Sequence, residues 1–149
     1  MKVTVEGNLP KSFGLTKTRL KAASAYFAGR SSSRSGLVFG EIAVILQKDA
    51  ESADVHLAIN GAEGATDVVT QPYDPMPGEP EGVCGELYVN TDQALREAPI
   101  RRGWSVAKEL LLYVAHGMDH LSGADDLEPE DYRRMRRREL GWIADFERQ

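Results

Sequence analysis

Residues 103–126 read Gly-Trp-Ser-Val-Ala-Lys-Glu-Leu-Leu-Leu-Tyr-Val-Ala-His-Gly-Met-Asp-His-Leu-Ser-Gly-Ala-Asp-Asp. Trp104, Ala107, Leu111, Val114 and Met118 recur at helical intervals, which predicts a helix from about Gly103 to Leu121 with a core-facing stripe. Ser122-Gly123 ends it. The chain holds three histidines, and two of them, His116 and His120, stand four apart on this helix. That spacing puts two imidazoles one turn apart on one face, about 6 Å between Cβ atoms, close enough to share a metal ion. The bland alternative is a pair of surface or satisfied core histidines. What favours a metal is the sequel, because the chain can turn back after Gly123 and deliver Asp125 or Asp126 as an oxygen ligand. Two imidazoles, one carboxylate and an open position form a site of the catalytic kind. A zinc-protease motif would place Glu directly after the first histidine, where this chain has Gly117.

Around this helix the chain alternates strands with helices. Val3-Thr4-Val5 and Leu37–Leu46 read as strands, the second buried on at least one face. Thr16–Ala28 reads as a helix, with Thr16 as N-cap and Gly29 as its stop. Ser31–Gly36 then reads as a flexible polar link. A helix is expected from Asp49 to about Ile59, broken by Asn60-Gly61. Asp67–Thr70 reads as a short strand closed by Pro72, and Gln71–Gly82, with four prolines and two glycines, as a surface loop. Leu87-Tyr88-Val89 forms another strand, and Asn90-Thr91-Asp92 caps the helix after it. A last helix starts at Pro129, with Tyr132, Met135, Leu140, Ile143 and Phe146 as its apolar set and five arginines elsewhere. The expected fold is α/β (mixed α+β), residues 1–149 forming one domain. A single small, mostly parallel sheet carries packed helices, and the metal site lies at a C-terminal helix and the loop after it.

Composition bounds the function. With 149 residues, 42% hydrophobic and 28% charged, the chain is of one-domain size and can bury roughly two-thirds of its unfolded surface. No stretch approaches a membrane span, and the N-terminus lacks a signal-peptide core. The single cysteine, Cys84, excludes an internal disulfide and suits a reducing compartment, so a cytoplasmic location is expected. The net charge of −5 removes the easy argument for a generic polyanion binder. It is unevenly spread, however: residues 1–48 carry +6 and residues 49–100 carry −10. No phosphate-binding glycine loop is present, Cys84 lacks an obvious base, and the isolated His56 reads as structural.

His116-Gly117-Met118-Asp119-His120-Leu121-Ser122-Gly123-Ala124-Asp125-Asp126 resembles the signature of the YbeY-type endoribonucleases, metal-dependent proteins of ribosomal RNA maturation. That signature runs His-Gly-x-Leu-His-Leu-x-Gly-x-Asp-His, and its three histidines bind one zinc. Ala65–Thr70 looks like the family's Pro-Thr-Asp-Val-Leu-Ser segment, and Gly85-Glu86-Leu87 like its Gly-Asp-Ile strand. Glu130–Glu139, with Met135, is similar to its closing helix. The match spans about residues 40–145.

The resemblance implies a single-strand-specific, metal-dependent endoribonuclease acting on ribosomal precursor RNA or a ribosomal subunit. His116, His120 and Asp126 would then hold one zinc ion or another divalent metal. Asp126 replaces the third histidine and makes the donor set harder. Asn60 stands where the family carries an arginine implicated in cleavage, and Thr70-Gln71-Pro72 replaces Ser-Phe-Pro. An asparagine cannot supply a fixed cation. Two other readings therefore stand beside the nuclease: a non-catalytic ribosome assembly factor that keeps the metal site, and a metal-dependent hydrolase of another substrate. Lys17, Lys21, Arg30 and Arg34 are the residues expected to hold an RNA backbone.

Overall fold

The computed structural model describes residues 1–149. Its strands are β1 (Lys2–Glu6), β2 (Phe39–Gln47), β3 (Val68–Tyr73) and β4 (Val83–Asn90). Its helices are α1 (Lys17–Ser35), α2 (Asp49–Asn60), α3 (Thr91–Glu97), α4 (Val106–Leu121) and α5 (Pro129–Glu147), with short 3-10 turns at Lys11–Phe13 and Ala98–Ile100. The strands form one sheet in the order β1-β2-β4-β3. β1, β2 and β4 are parallel and β3 runs antiparallel at the edge, so the mixed, mostly parallel architecture expected of the sequence is present.

Register decides which face is core. Ile42, Val44 and Leu46 of β2 pair with Gly85, Leu87 and Val89 of β4, and all six point to the same covered face. All but Gly85 belong to the hydrophobic core, together with Leu20, Ala23 and Phe27 of α1, residues Leu110 to Ala115 and Met118 of α4, and Trp142, Ile143 and Phe146 of α5. The alternate residues Ala43, Ile45, Glu86 and Tyr88 stay partly exposed. One covered and one half-wetted face is legible in β4, where Glu86 and Tyr88 alternate with Leu87 and Val89, whereas Ile42–Leu46 of β2 is continuously apolar and shows its alternation only in burial.

Helix α4 sits closest to the sheet. It is buried from Glu109 through Asp119, so the stripe expected of a one-sided helix understates it. Its approach is set by absent side chains. A Cβ at Gly117 would lie 2.8 Å from Leu87 Cδ2 and 3.2 Å from Val68 Cγ2, and one at Gly85 would lie 2.9 Å from Leu121 Cδ2. A glutamate at position 117 would have to displace the side chain of the same fully buried Leu87.

Three local expectations are corrected. α1 does not stop at Gly29 but continues to Ser35, and Gly36, at φ +78°, is its left-handed cap. The serines that suggested a flexible link form the last turns of the helix instead. Ser33 Oγ donates to Gly29 O, and Ser31 Oγ donates to Ser122 Oγ at 2.6 Å on the loop after α4. β3 runs through Pro72 to Tyr73, which an edge strand tolerates because no neighbour needs the missing N–H. On α5, Tyr132 and Leu140 are exposed, while Trp142 and Glu139 take the buried positions.

Gly117→Ala is expected to lower stability by about 1–3 kcal/mol, overpacking against Leu87 outweighing the ~1 kcal/mol gain in helix propensity. Urea unfolding checks this: an equal or higher midpoint would mean that the sheet yields.

Candidate metal centre

Burial on all sides leaves the polar residues of α4 dependent on other elements for partners. Glu109, 1% exposed, accepts from Arg101 Nε at 2.9 Å. Asp119, fully buried, accepts on Oδ2 from Arg138 Nη2 at 2.8 Å and Nε at 3.2 Å, while Arg34 Nε lies 3.4 Å from its Oδ1. His116, one turn before Asp119 and also facing α5, donates Nδ1–H to Oε2 of the fully buried Glu139 at 2.8 Å. α5 and the end of α1 are thus held to α4 by charge as well as by apolar packing.

His116 and His120 turn their other nitrogens toward each other, with Nε2 to Nε2 at 3.0 Å. Asp126 Oδ2 lies 3.4 Å from the first and 3.3 Å from the second. The structure therefore brings together the three residues singled out from the sequence, and this cluster could hold a metal ion. Asp125 does not join them; its Oδ1 accepts from Leu127 N at 3.0 Å.

The donor set fits such an ion on two grounds. A tetrahedral centre with bonds of about 2.0–2.1 Å separates its ligand atoms by roughly 3.3 Å, close to the spacings observed. The proton positions point the same way. His120 Nδ1 lies 3.1 Å from Ala124 O, and a carbonyl only accepts, so the proton sits on Nδ1. With Glu139 fixing the His116 tautomer likewise, both Nε2 atoms present lone pairs to each other and to a carboxylate. Three converging acceptors repel unless a cation lies among them. Burial disfavours the charged His116 ring, but the Glu139 carboxylate outweighs it and raises the His116 pKa. Burial in turn pushes the Glu139 carboxyl upward, against the pull of His116 and Arg136.

His116 and His120 open onto a cavity of about 270 Å³ whose other walls are Asn60, Asp67, Val68 and Thr70. Asn60, the last residue of α2, stands at the wall, so the substitution noted in the sequence falls on the cavity that the two histidines line.

A family model described as Endoribonuclease YbeY matches residues 14–147. The chain belongs to the YbeY family. Among relatives named Endoribonuclease YbeY, one from Anaeromyxobacter sp. (strain Fw109-5) is 32% identical over 139 residues, covering 93% of this chain and 69% of the relative. Another, from Thermobifida fusca, is 35% identical over 101 residues, 64% of each chain. The chain thus spans about two thirds of the length of these YbeY relatives. The solution structure of TM1509 from Thermotoga maritima shares the fold, with a TM-score of 0.60 at 21% identity over 98% of this chain and 89% of that one.

Against this YbeY frame, the other sequence expectations divide. Cys84 is free and buried, and His56 Nδ1 lies 2.8 Å from Gly64 O, bracing the turn after α2. Lys17 and Lys21 stand near the start of α1, ~25 and ~20 Å along the helix from Arg34. Arg30 is held by Asp145 Oδ2 at 2.9 Å. Only Arg34 approaches the loop that carries Asp126, since its Nη2 donates to Ser122 Oγ at 2.7 Å. Glu139 escaped the sequence reading. Its place four residues after buried Met135 and four before buried Ile143 was the available signal.

Removing Arg138 leaves the Asp119 carboxylate buried with Arg34 alone. Arg138→Ala is expected to cost about 2–3 kcal/mol, short of the 3–5 kcal/mol of a wholly orphaned buried charge. A urea midpoint equal to that of the parent protein would mean that water reaches Asp119.

Proposed function

We propose that residues 1–149 act as one domain in which His116, His120 and Asp126 hold a single zinc ion or another divalent ion. On this reading the protein is a single-strand-specific, metal-dependent endoribonuclease of ribosomal RNA maturation and ribosome biogenesis, with precursor RNA or a ribosomal subunit as its partner. A cytoplasmic site of action agrees with the one unpaired, buried cysteine, Cys84. No helix is long and apolar enough to cross a membrane. The observation that carries the proposal is the convergence of two imidazole lone pairs and a carboxylate on one point in a chain of this family.

Zinc, when bound, supplies a Lewis acid and lowers the pKa of a water it binds toward ~7. The protein's own groups do the positioning. Glu139 and the Ala124 carbonyl fix the tautomer and aim of the two rings. Asp67 is held by the backbone, its Oδ1 accepting from Val68 N at 2.7 Å, and with Thr70 it forms the polar wall facing the histidines. Asn60 can donate an amide hydrogen bond to a phosphodiester oxygen but brings no charge to it. That substitution favours a second reading, a ribosome assembly factor that keeps the metal and cleaves slowly or not at all.

Two measurements test this. Zinc titration followed by native mass spectrometry is expected to give one ion per chain. His120→Ala and Asp126→Asn lose it, Asp125→Asn keeps it, and Glu139→Gln weakens it 10–100-fold. Zinc uptake that Asp126→Asn leaves intact would remove the carboxylate from the site. Cleavage of an end-labelled single-stranded RNA is then expected from the zinc-loaded protein, at least 100-fold slower in His116→Ala and at least 10-fold faster in Asn60→Arg. Cleavage that survives His116→Ala would come from elsewhere. One bound zinc without cleavage, in parent and Asn60→Arg alike, would favour the assembly factor.

A further inference from the structure

The loop that delivers Asp126 borders a second cavity, of about 280 Å³. Its walls are Arg34 at the end of α1, Asp125 on the loop, and Asp131, Arg134 and Arg138 on α5. None of these lines the cavity at His116 and His120. The two cavities are nonetheless joined by the shortest links a chain allows. Asp125 precedes Asp126, and Asp119, which holds Arg34 and Arg138, stands on α4 between the two histidines.

The arginines are held in place before any ligand arrives. Arg138 commits Nε–H and one Nη2–H to Asp119, and Arg34 commits Nη2–H to Ser122 with its Nε facing Asp119. A guanidinium has five N–H donors, so each keeps about three for a ligand in the cavity. Arg134 Nη1 donates to Asp131 Oδ1 at 3.1 Å, and its side chain remains 58% exposed. In formal charge the three arginines are matched by Asp119, Asp125 and Asp131, with Glu130 a further 3.9 Å from Arg134 Nη2. A general attraction for polyanions is therefore absent here, as the overall charge of −5 already argues. What remains is two planar forks held in place, Arg34 and Arg138, with the exposed Arg134 beside them, and a guanidinium fork has the geometry that binds two oxygens of one phosphate.

We propose that this cavity is a phosphate subsite, in which Arg34, Arg134 and Arg138 hold a backbone phosphodiester of the RNA strand a few nucleotides from the bond at the metal centre. The inference rests on the proposed RNA substrate and adds how an acidic protein grips it. Three guanidinium forks replace a basic surface, and the register of the strand is set by Asp119, which belongs to the same helix as His116 and His120.

The test is binding, read without cleavage. A fluorescein-labelled, 2′-O-methyl 12-nucleotide uridine strand is titrated with the zinc-loaded protein by anisotropy at 50–300 mM salt. Arg134→Ala, at an exposed position, is expected to weaken binding 3–10-fold and to flatten the slope of log K against log salt by about 0.7, one phosphate contact on a single strand. Arg34→Lys keeps the charge but loses the fork, and is expected to weaken binding with little change in slope. Metal content and melting temperature stay at parental values in Arg134→Ala. Parental affinity and slope in Arg134→Ala and Arg34→Lys, with the parent binding the strand, would overturn the subsite and leave the nuclease reading standing. A parent that does not bind the strand overturns both.

Discussion

A helix buried on every side cannot leave its polar groups to water, and this constraint on α4 organises the rest of the molecule. Glu109, His116 and Asp119 lie within three turns of each other, almost wholly out of solvent. An unpaired buried charge would cost several kcal/mol, so each needs a partner aimed inward from another element. The partners come from the segment before α4 (Arg101), from α5 (Glu139, Arg138) and from α1 (Arg34). The glycines do the complementary work on the sheet side. With no side chain at Gly117 and Gly85, α4 settles onto β4 closely enough for Leu87 and Leu121 to fill the gap. Position 117 thus has a packing reason for being glycine, quite apart from chemistry.

The candidate metal centre is a by-product of that arrangement. Glu139, needed to satisfy a buried imidazole, also fixes its tautomer and points its free nitrogen at the neighbouring ring. The tight turn after Leu121 places the Ala124 carbonyl where it does the same for His120, and one residue pair later Asp126 closes the cluster. With Asp126 at the third corner, the cluster offers a carboxylate oxygen beside two imidazole nitrogens, a donor set that could hold a metal ion. Asn60 is the change that touches chemistry more directly, because it stands on the cavity wall rather than in the donor set.

Much of this was legible in the residues, for identifiable reasons. A histidine pair at helical spacing and a glycine turn are local signals that point to His116, His120 and either Asp125 or Asp126, the resemblance favours Asp126, and the structure joins Asp126 to the pair. Strand and helix order followed from period and punctuation. The failures are all places where a distant contact overrides a local preference. Serine is a poor helix former, yet Ser31 extends α1 because Ser122 meets its hydroxyl across 91 residues. Pro72 ends a strand only if a neighbour needs its N–H, and whether a strand lies at an edge is a property of the whole sheet. Glu139 sits in a helix so rich in arginine that it reads as one more solvated charge. Its burial depends on His116, 23 residues away.

The three corners of the centre belong to different grades of structure. His116 and His120 ride on a helix whose central amides are walled in by the sheet, α1 and α5, so those amides exchange with solvent only when the whole fold opens. Asp126 sits on a partly exposed loop outside any helix or strand, between the end of α4 and the start of α5. Local opening there needs far less free energy than global unfolding. The carboxylate corner is therefore carried by irregular backbone, whereas both imidazole corners are carried by one packed helix.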